Sequence, residues 1–356
     1  TLTIEDIDHV EISGDWEKVT ASTGENTFVV KAGAVIKELV VTKGNIEIAT
    51  DAVVNKLTLE ADVTINSRLY VPVGAKMEVI LGTHEFTLGG DYYTRIYGGG
   101  ELVLTGDETY KGKVTDKTAG ISLYGDGAKF TMKNVDYKAA KTGGRGVFID
   151  KRYSSALIDI ENSTMVGKYF CVNTNATTEV GSNNAITLSN STFTADETAL
   201  LVNIPVTVTA TQCTFTGGWQ GVFLRGGTST FDGCTFNLAV NSQYDKNTME
   251  AGAITWSEGN QAPSAAITAG NRSKSAYDYK TTFELKNSCV FSVKVDDTDS
   301  QDYPAIYIDA EKNKPNQGVV FKYSSDTFGS VGTGLDIRET TGKVTVNGTE
   351  YKGKVD

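Results

Sequence analysis

The chain has 356 residues, with 33 Lys and Arg against 44 Asp and Glu, a formal net charge of −11, 37 Gly and only 5 Pro. Such an acidic balance repels a phosphate backbone at long range and disfavours a nucleic-acid partner. The absence of any run of 18 or more apolar residues excludes a spanning helix within the sequence, and four cysteines are too few for a disulfide scaffold.

Residues 1–32 are predicted to form a cap over the open end of a stack of coils. From residue 33 to 105 a short repeat sets in. Val35…Leu39-Val40-Val41…Ile46-Glu47-Ile48 returns 18 residues on as Val53…Leu57-Thr58-Leu59, then Val63-Thr64-Ile65. Strand signals continue at Leu69–Val71, Met77–Leu81, Phe86–Leu88 and Leu102–Leu104, punctuated by Gly89-Gly90 and Gly98-Gly99-Gly100. These are read as the smaller coils of a solenoid; a separate small β domain over 1–105 is the alternative.

Residues 106–345 carry a longer phrase: apolar, any, apolar, any, Asn or small, any, any, large apolar. Its copies include Phe130–Tyr137, Ile158–Met165, Ile186–Phe193, Ser229–Phe236, Phe283–Val290 and Phe321–Phe328. The fifth position falls at Asn134, Asn162, Asn190, Gln212, Gly233, Asn287 and Ser325, spaced by 28, 28, 22, 21, 54 and 38 residues. Strand alternation repeated at 20–30 residues predicts stacked coils. Asn at the corner tolerates a left-handed backbone, and stacked amides can bond up the column. Cys213 and Cys234 share the slot that Ser163, Ser191 and Ser288 fill elsewhere, and are predicted to be buried free thiols, although stacked strands would permit a bridge. Residues 346–356 form the C-terminal end.

A third strand per coil reads small-apolar-x-apolar-x at 146–150, 169–173, 199–203, 221–225, 253–257, 305–309 and 334–338. Its third and fifth positions are predicted to face outward. One outward column is then Phe148, Cys171, Leu201, Phe223, Thr255, Tyr307 and Asp336; the other is Asp150, Asn173, Asn203, Arg225, Ser257, Asp309 and Arg338. An aromatic row beside amides and a guanidinium suits a sugar-binding groove, in which Phe148, Phe223 and Tyr307 stack on rings and Asn173, Asn203, Arg225 and Asp309 make polar contacts. The alternative is that the inserts 237–252 or 258–280 cover the row and make it a second small core.

Chemistry on this face is limited by distance. Asp309 and Asp336 are the one carboxyl pair in range for glycoside hydrolysis, at about 8 Å by strand spacing, and an ion pair with Arg338 explains them equally. Lys151 and Arg152, with Tyr153, are the candidates for a lyase-type base and cation. In the acidic insert 292–303, Asp297, Asp299 and Asp302 could offer oxygens to Ca²⁺ but lack an EF-hand pattern. No cofactor is expected.

The coil pattern over residues 33–345 resembles the right-handed parallel β-helices of the pectate-lyase-like superfamily, and more narrowly the secreted or lipid-anchored β-helix proteins of gut Bacteroidetes. That resemblance implies an all-β three-sheet solenoid, export to the cell surface or beyond with a possible lipid anchor upstream, and a polysaccharide partner. The catalytic segments of the enzymatic members are missing: His9 and His84 sit in no Gly-His-Gly, and no Arg-x-Pro-x-x-Arg occurs. The expectation is a non-catalytic carbohydrate-binding or adhesin-like protein. The alternatives are a polysaccharide lyase or glycoside hydrolase for an acidic polysaccharide, and a structural spacer or protein-adhesion module.

Overall fold

A computed structural model of the chain describes residues 1–150, 152–175, 179–239, 264–270, 279–294, 305–309, 318–324, 335–336 and 343–351. Every regular element in them is a β-strand, and the strands pair in parallel between successive coils, apart from one terminal hairpin. The fold is an all-β parallel β-helix, as the repeat predicts. The chain divides into two compact units, Thr1–Lys168 and Tyr169–Asp356.

In the first unit one wall stacks Val53–Leu59, Lys76–Gly82, Glu101–Gly106, Lys129–Lys133 and Leu157–Glu161. A second stacks Val63–Ile65, Glu85–Leu88, Gly112–Asp116, Val135–Ala139 and Thr164–Gly167. The long strands Asp15–Val30 and Val35–Ile48 pair with each other and contribute to both. A third wall begins only at Tyr70–Val71 and continues through Thr94–Tyr97, Ile121–Tyr124 and Val147–Ile149. The earlier coils therefore close without a third strand, which accounts for their shorter repeat. Residues 1–32, expected as a cap, carry the same parallel pairing: Leu2 lies opposite Val19 and Val10 opposite Phe28.

The corners obey the sequence pattern closely. Asn134 and Asn162 have φ of 56° and 46°, in the left-handed region that a short amide side chain tolerates. Asn162 Nδ2 donates to Asn134 Oδ1 at 2.7 Å, so one amide caps the next. Just after the corner, Ser163 Oγ donates back to the Glu161 carbonyl at 2.7 Å and accepts from Val135 N–H at 3.1 Å. Inside lie Phe130, Met132, Ile158, Ile160, Tyr137 and Met165, all buried. Tyr137 is tall enough to need a polar partner and finds one in the buried Asp116, to whose carboxylate its hydroxyl donates.

The second unit repeats the rung. Its first wall runs Ala185–Ser189, Thr207–Thr211, Gly227–Asp232, Thr281–Lys286, Gly318–Tyr323 and Lys343–Val346. Its second runs Thr192–Ala195, Thr214–Gly217, Thr235–Ala239 and Val290–Lys294. Asn190, Gln212, Gly233 and Asn287 take the same left-handed corner, with φ between 47° and 58°. The large apolar position becomes an interior ring stack: Phe193, Phe215, Phe236 and Phe291 succeed one another at 5.3, 5.8 and 5.2 Å. Phe291 rather than Val290 takes this place because Asn287 and Ser288 are both left-handed, lengthening that corner by one residue. The same shift puts Cys289, not Ser288, in line with Cys234. Thr349–Tyr351 folds back antiparallel on Lys343–Val346 and blunts the last edge.

Candidate functional site

The third wall of the second unit holds most of the residues expected to bind ligand, and its described side chains, from Phe170–Thr174 through residues 306–308, are buried. Its strands are Phe170–Thr174, Thr198–Val202, Gln220–Leu224, Ala265–Gly270, Ile306–Asp309 and Leu335–Asp336. Phe223 is 1% exposed and Tyr307 5%, and Phe170, Leu201 and Phe223 form an apolar cluster of their own. Three members of the polar column are equally enclosed. Asn173, Asn203 and Arg225 are buried; Arg225 Nη1 donates to Asn203 Oδ1 at 2.9 Å, Asn203 Nδ2 donates to the Thr174 carbonyl at 3.0 Å, and the Arg225 guanidinium rests 4.6 Å over the Phe223 ring. Among the described residues these side chains pack against one another in a second core rather than line an open aromatic groove.

Two alignments also differ from the sequence expectation. The strand paired between Gln220–Leu224 and Ile306–Asp309 is Ala265–Gly270, inside the segment taken as a loop insert, and its Thr268 stands opposite Phe223 and Tyr307. The expected strand at 253–257, with Thr255 and Ser257, lies outside the described residues. Asn173, not Cys171, aligns with Leu201. A two-residue slip keeps the same side chains inside and outside, so alternation alone cannot detect it.

The remaining candidates are scattered. Asp336 pairs with Tyr307, which places it one coil from and two residues out of line with Asp309; the two side chains are not described. Lys151 and Asp297, Asp299 and Asp302 lie outside the described residues, and Arg152 is exposed. No group of three or more His, Cys, Asp or Glu that could hold a metal ion occurs among the described residues.

The first unit carries the face that sequence reasoning missed. Phe148, expected to be exposed there, is 1% exposed, with Tyr93 packed edge-on at 5.0 Å and the Arg145 guanidinium at 5.3 Å. Beside it, four partly exposed tyrosines from successive coils make a row. Tyr70 and Tyr97 stack at 5.9 Å and 18°, Tyr97 meets Tyr124 at 5.9 Å, and Tyr124 meets Tyr153 at 5.4 Å. Each precedes a tight turn, and the turns are stitched coil to coil. Gly74 N–H donates to Gly98 O at 3.0 Å, Gly99 to Asp126 O at 2.7 Å, and Gly127 to Ser154 O at 2.8 Å. Glycine is required here by close approach: a Cβ on Gly125 would lie 2.3 Å from the Gly98 nitrogen.

Two arginines line this row. Arg68 lies 4.8 Å over Tyr70 and 5.5 Å over the exposed Tyr92, and its Nε donates to the Tyr93 carbonyl at 2.7 Å. Arg95 lies 4.2 Å over Tyr124, and its Nε and the neighbouring Ser122 Oγ have no hydrogen-bond partner among the described residues. Neither Arg68 nor Arg95 makes an ion pair there. Lysines of the same unit do: Lys18 with Glu38, Lys31 with Glu11, Lys37 with Glu17, Lys76 with Glu101 and Lys133 with Glu161. Burial, together with the Tyr124 hydroxyl and the Asp150 carboxylate, pushes the Tyr153 phenol up from its ordinary value. The signal in the sequence was the spacing of Tyr70, Tyr97, Tyr124 and Tyr153 at 27, 27 and 29 residues, with Gly directly after Tyr97 and Tyr124.

No protein-family model matches the chain, and no curated protein or solved structure is significantly similar to it.

Proposed function

We propose that this protein is a non-catalytic carbohydrate-binding β-helix, exported to the cell surface or beyond, and that its glycan lies along the tyrosine row of the first unit. The observation that supports this reading most is the juxtaposition of Tyr70, Tyr97, Tyr124 and Tyr153 with Arg68 and Arg95, which have no carboxylate partner among the described residues. Tyrosine rings offer apolar faces to sugar C–H groups and hydroxyls to sugar oxygens, while guanidinium groups bind carboxylates in bidentate fashion. A glycan bearing acidic groups suits the site better than a neutral one. The likeness of the coil phrase to pectate-lyase-like β-helices supports export and a polysaccharide partner.

Affinity electrophoresis through gels containing neutral and uronate-bearing polysaccharides tests this reading. Wild-type protein is retarded by at least one of them, and Tyr97→Ala and Tyr124→Ala each weaken binding by about 3- to 10-fold with an unchanged far-UV spectrum. No retardation on any polysaccharide overturns the assignment and favours a structural spacer. New reducing ends or unsaturated products would favour an enzyme instead. Retardation by single-stranded DNA would redirect the tyrosine row to nucleobases.

A further inference from the structure

Three of the four cysteines form a column in the second unit. Cys213, Cys234 and Cys289 are 1%, 0% and 2% exposed and are reduced. Pairing of Thr214 with Thr235, and of Thr235 with Val290, sets the three cysteines side by side on successive rungs. Backbone bonds hold that alignment: Thr235 N–H donates to Cys213 O at 2.8 Å and Val290 N–H to Cys234 O at 2.9 Å. Each thiol sits just behind a left-handed corner and copies the serine bond of other coils. Cys213 Sγ donates to Thr211 O at 3.4 Å and Cys234 Sγ to Asp232 O at 3.5 Å, where Ser191 Oγ donates to Ser189 O at 2.7 Å. Sulfur makes the poorer donor, so the corner bond does not account for three consecutive cysteines.

We propose that Cys213 and Cys234 are a disulfide-forming pair that locks adjacent coils when the protein meets a disulfide oxidant. In-register neighbouring strands lie ~4.8 Å apart, inside the Cα separation that a disulfide spans. The corner residues outside them, Gln212 and Gly233, are exposed and partly exposed, so the thiols are reached by opening a corner rather than the core. The Cys213 and Cys234 side chains hydrogen-bond each other, whereas Cys289 meets Cys234 through the Cys234 backbone. One thiolate of the pair attacks oxidised glutathione, forming a mixed disulfide and releasing one glutathione thiolate. The other thiol then loses its proton, attacks the protein sulfur that carries glutathione and expels the second glutathione. Two protein thiols are oxidised and one glutathione disulfide is reduced to two thiols. Cys289 is held as a thiol by burial, which pushes it up to about 11. This inference does not rest on the glycan reading.

The experiment incubates the folded protein with oxidised glutathione, alkylates the remaining thiols in denaturant, and maps the peptides by mass spectrometry. Two of the four thiols are expected to be lost and a 213–234 link recovered, in wild type and in Cys289→Ser alike. Cys213→Ser and Cys234→Ser are expected to form no intramolecular link; serine already fills this slot at Ser163 and Ser191, so both variants should fold. Urea-unfolded protein serves as the comparison and should give a mixture of pairings. Four surviving thiols in the folded protein, a 234–289 link in place of 213–234, or the same mixture as the unfolded chain overturns the proposal.

Discussion

The corner asparagines show how much one residue settles. Asn162 combines a positive φ with an amide bond to Asn134, so alanine there would face left-handed strain and lose the bond together. Asn162→Ala is expected to lower the unfolding free energy in urea by about 2 kcal/mol, and Asn162→Gly, which relieves the strain alone, by about half as much. Asp116 makes a different point. Burial raises its proton affinity against the opposing bonds from Thr118 and Tyr137. Its folded pKa lies above the ordinary 3.8, so the folded state holds the extra proton. The contribution to stability is therefore full below the ordinary value and is lost as pH rises from there through the folded pKa. Asp116→Asn should flatten that part of the stability–pH profile. An unchanged slope in urea titrations across acid pH would show that Asp116 is not its source.

At the scale of the element, a strand is stable here because its neighbours repeat it. The interior column Phe193, Phe215, Phe236 and Phe291 shows this best, since Phe215 is stacked on both sides and fully buried. Phe215→Ala leaves a gap between two rings in a coil that relaxes poorly, and should cost about 3–5 kcal/mol. Hydrogen exchange is the measurement to use, with protection falling most in the strands containing Phe193 and Phe236. Outside the walls of the first unit, charge alternates across strands instead: Lys18, Glu38, Lys56 and Glu78 stand opposite one another in register. Exposed pairs of this kind contribute little singly, but they keep like charges from facing each other on a flat sheet.

For the molecule as a whole, the net charge of −11 pulls in the opposite direction from Arg68 and Arg95, which have no carboxylate partner among the described residues. Distant carboxylates repel an acidic glycan while Arg68 and Arg95 attract it at contact. The screening length falls from about 30 Å at 0.01 M salt to about 3 Å at 1 M, which weakens the arginine contribution most where it is solvent-exposed. Binding of a uronate-bearing polysaccharide is expected to fall about tenfold across that range while any binding of a neutral one stays level. Arg95→Gln should remove most of the salt dependence, read by affinity electrophoresis at both salt levels. A salt-insensitive wild type would mean that the arginines serve the fold and not the ligand.

Sequence alone determined the rung: the apolar alternation, the left-handed residue at 134, 162, 190, 212, 233 and 287, and the thiol slot are local properties. Each is written in a few neighbouring residues and copied along the chain, which is why stacked coils could be read without coordinates. What lay over the outward side of a strand was not local. Phe148, Phe223, Asn203 and Arg225 were placed on the outward side by period two, and that period says nothing about what packs above them. The tyrosine row needed tertiary structure for the related reason that its members, 27 to 29 residues apart, meet only once the turns between them are stacked.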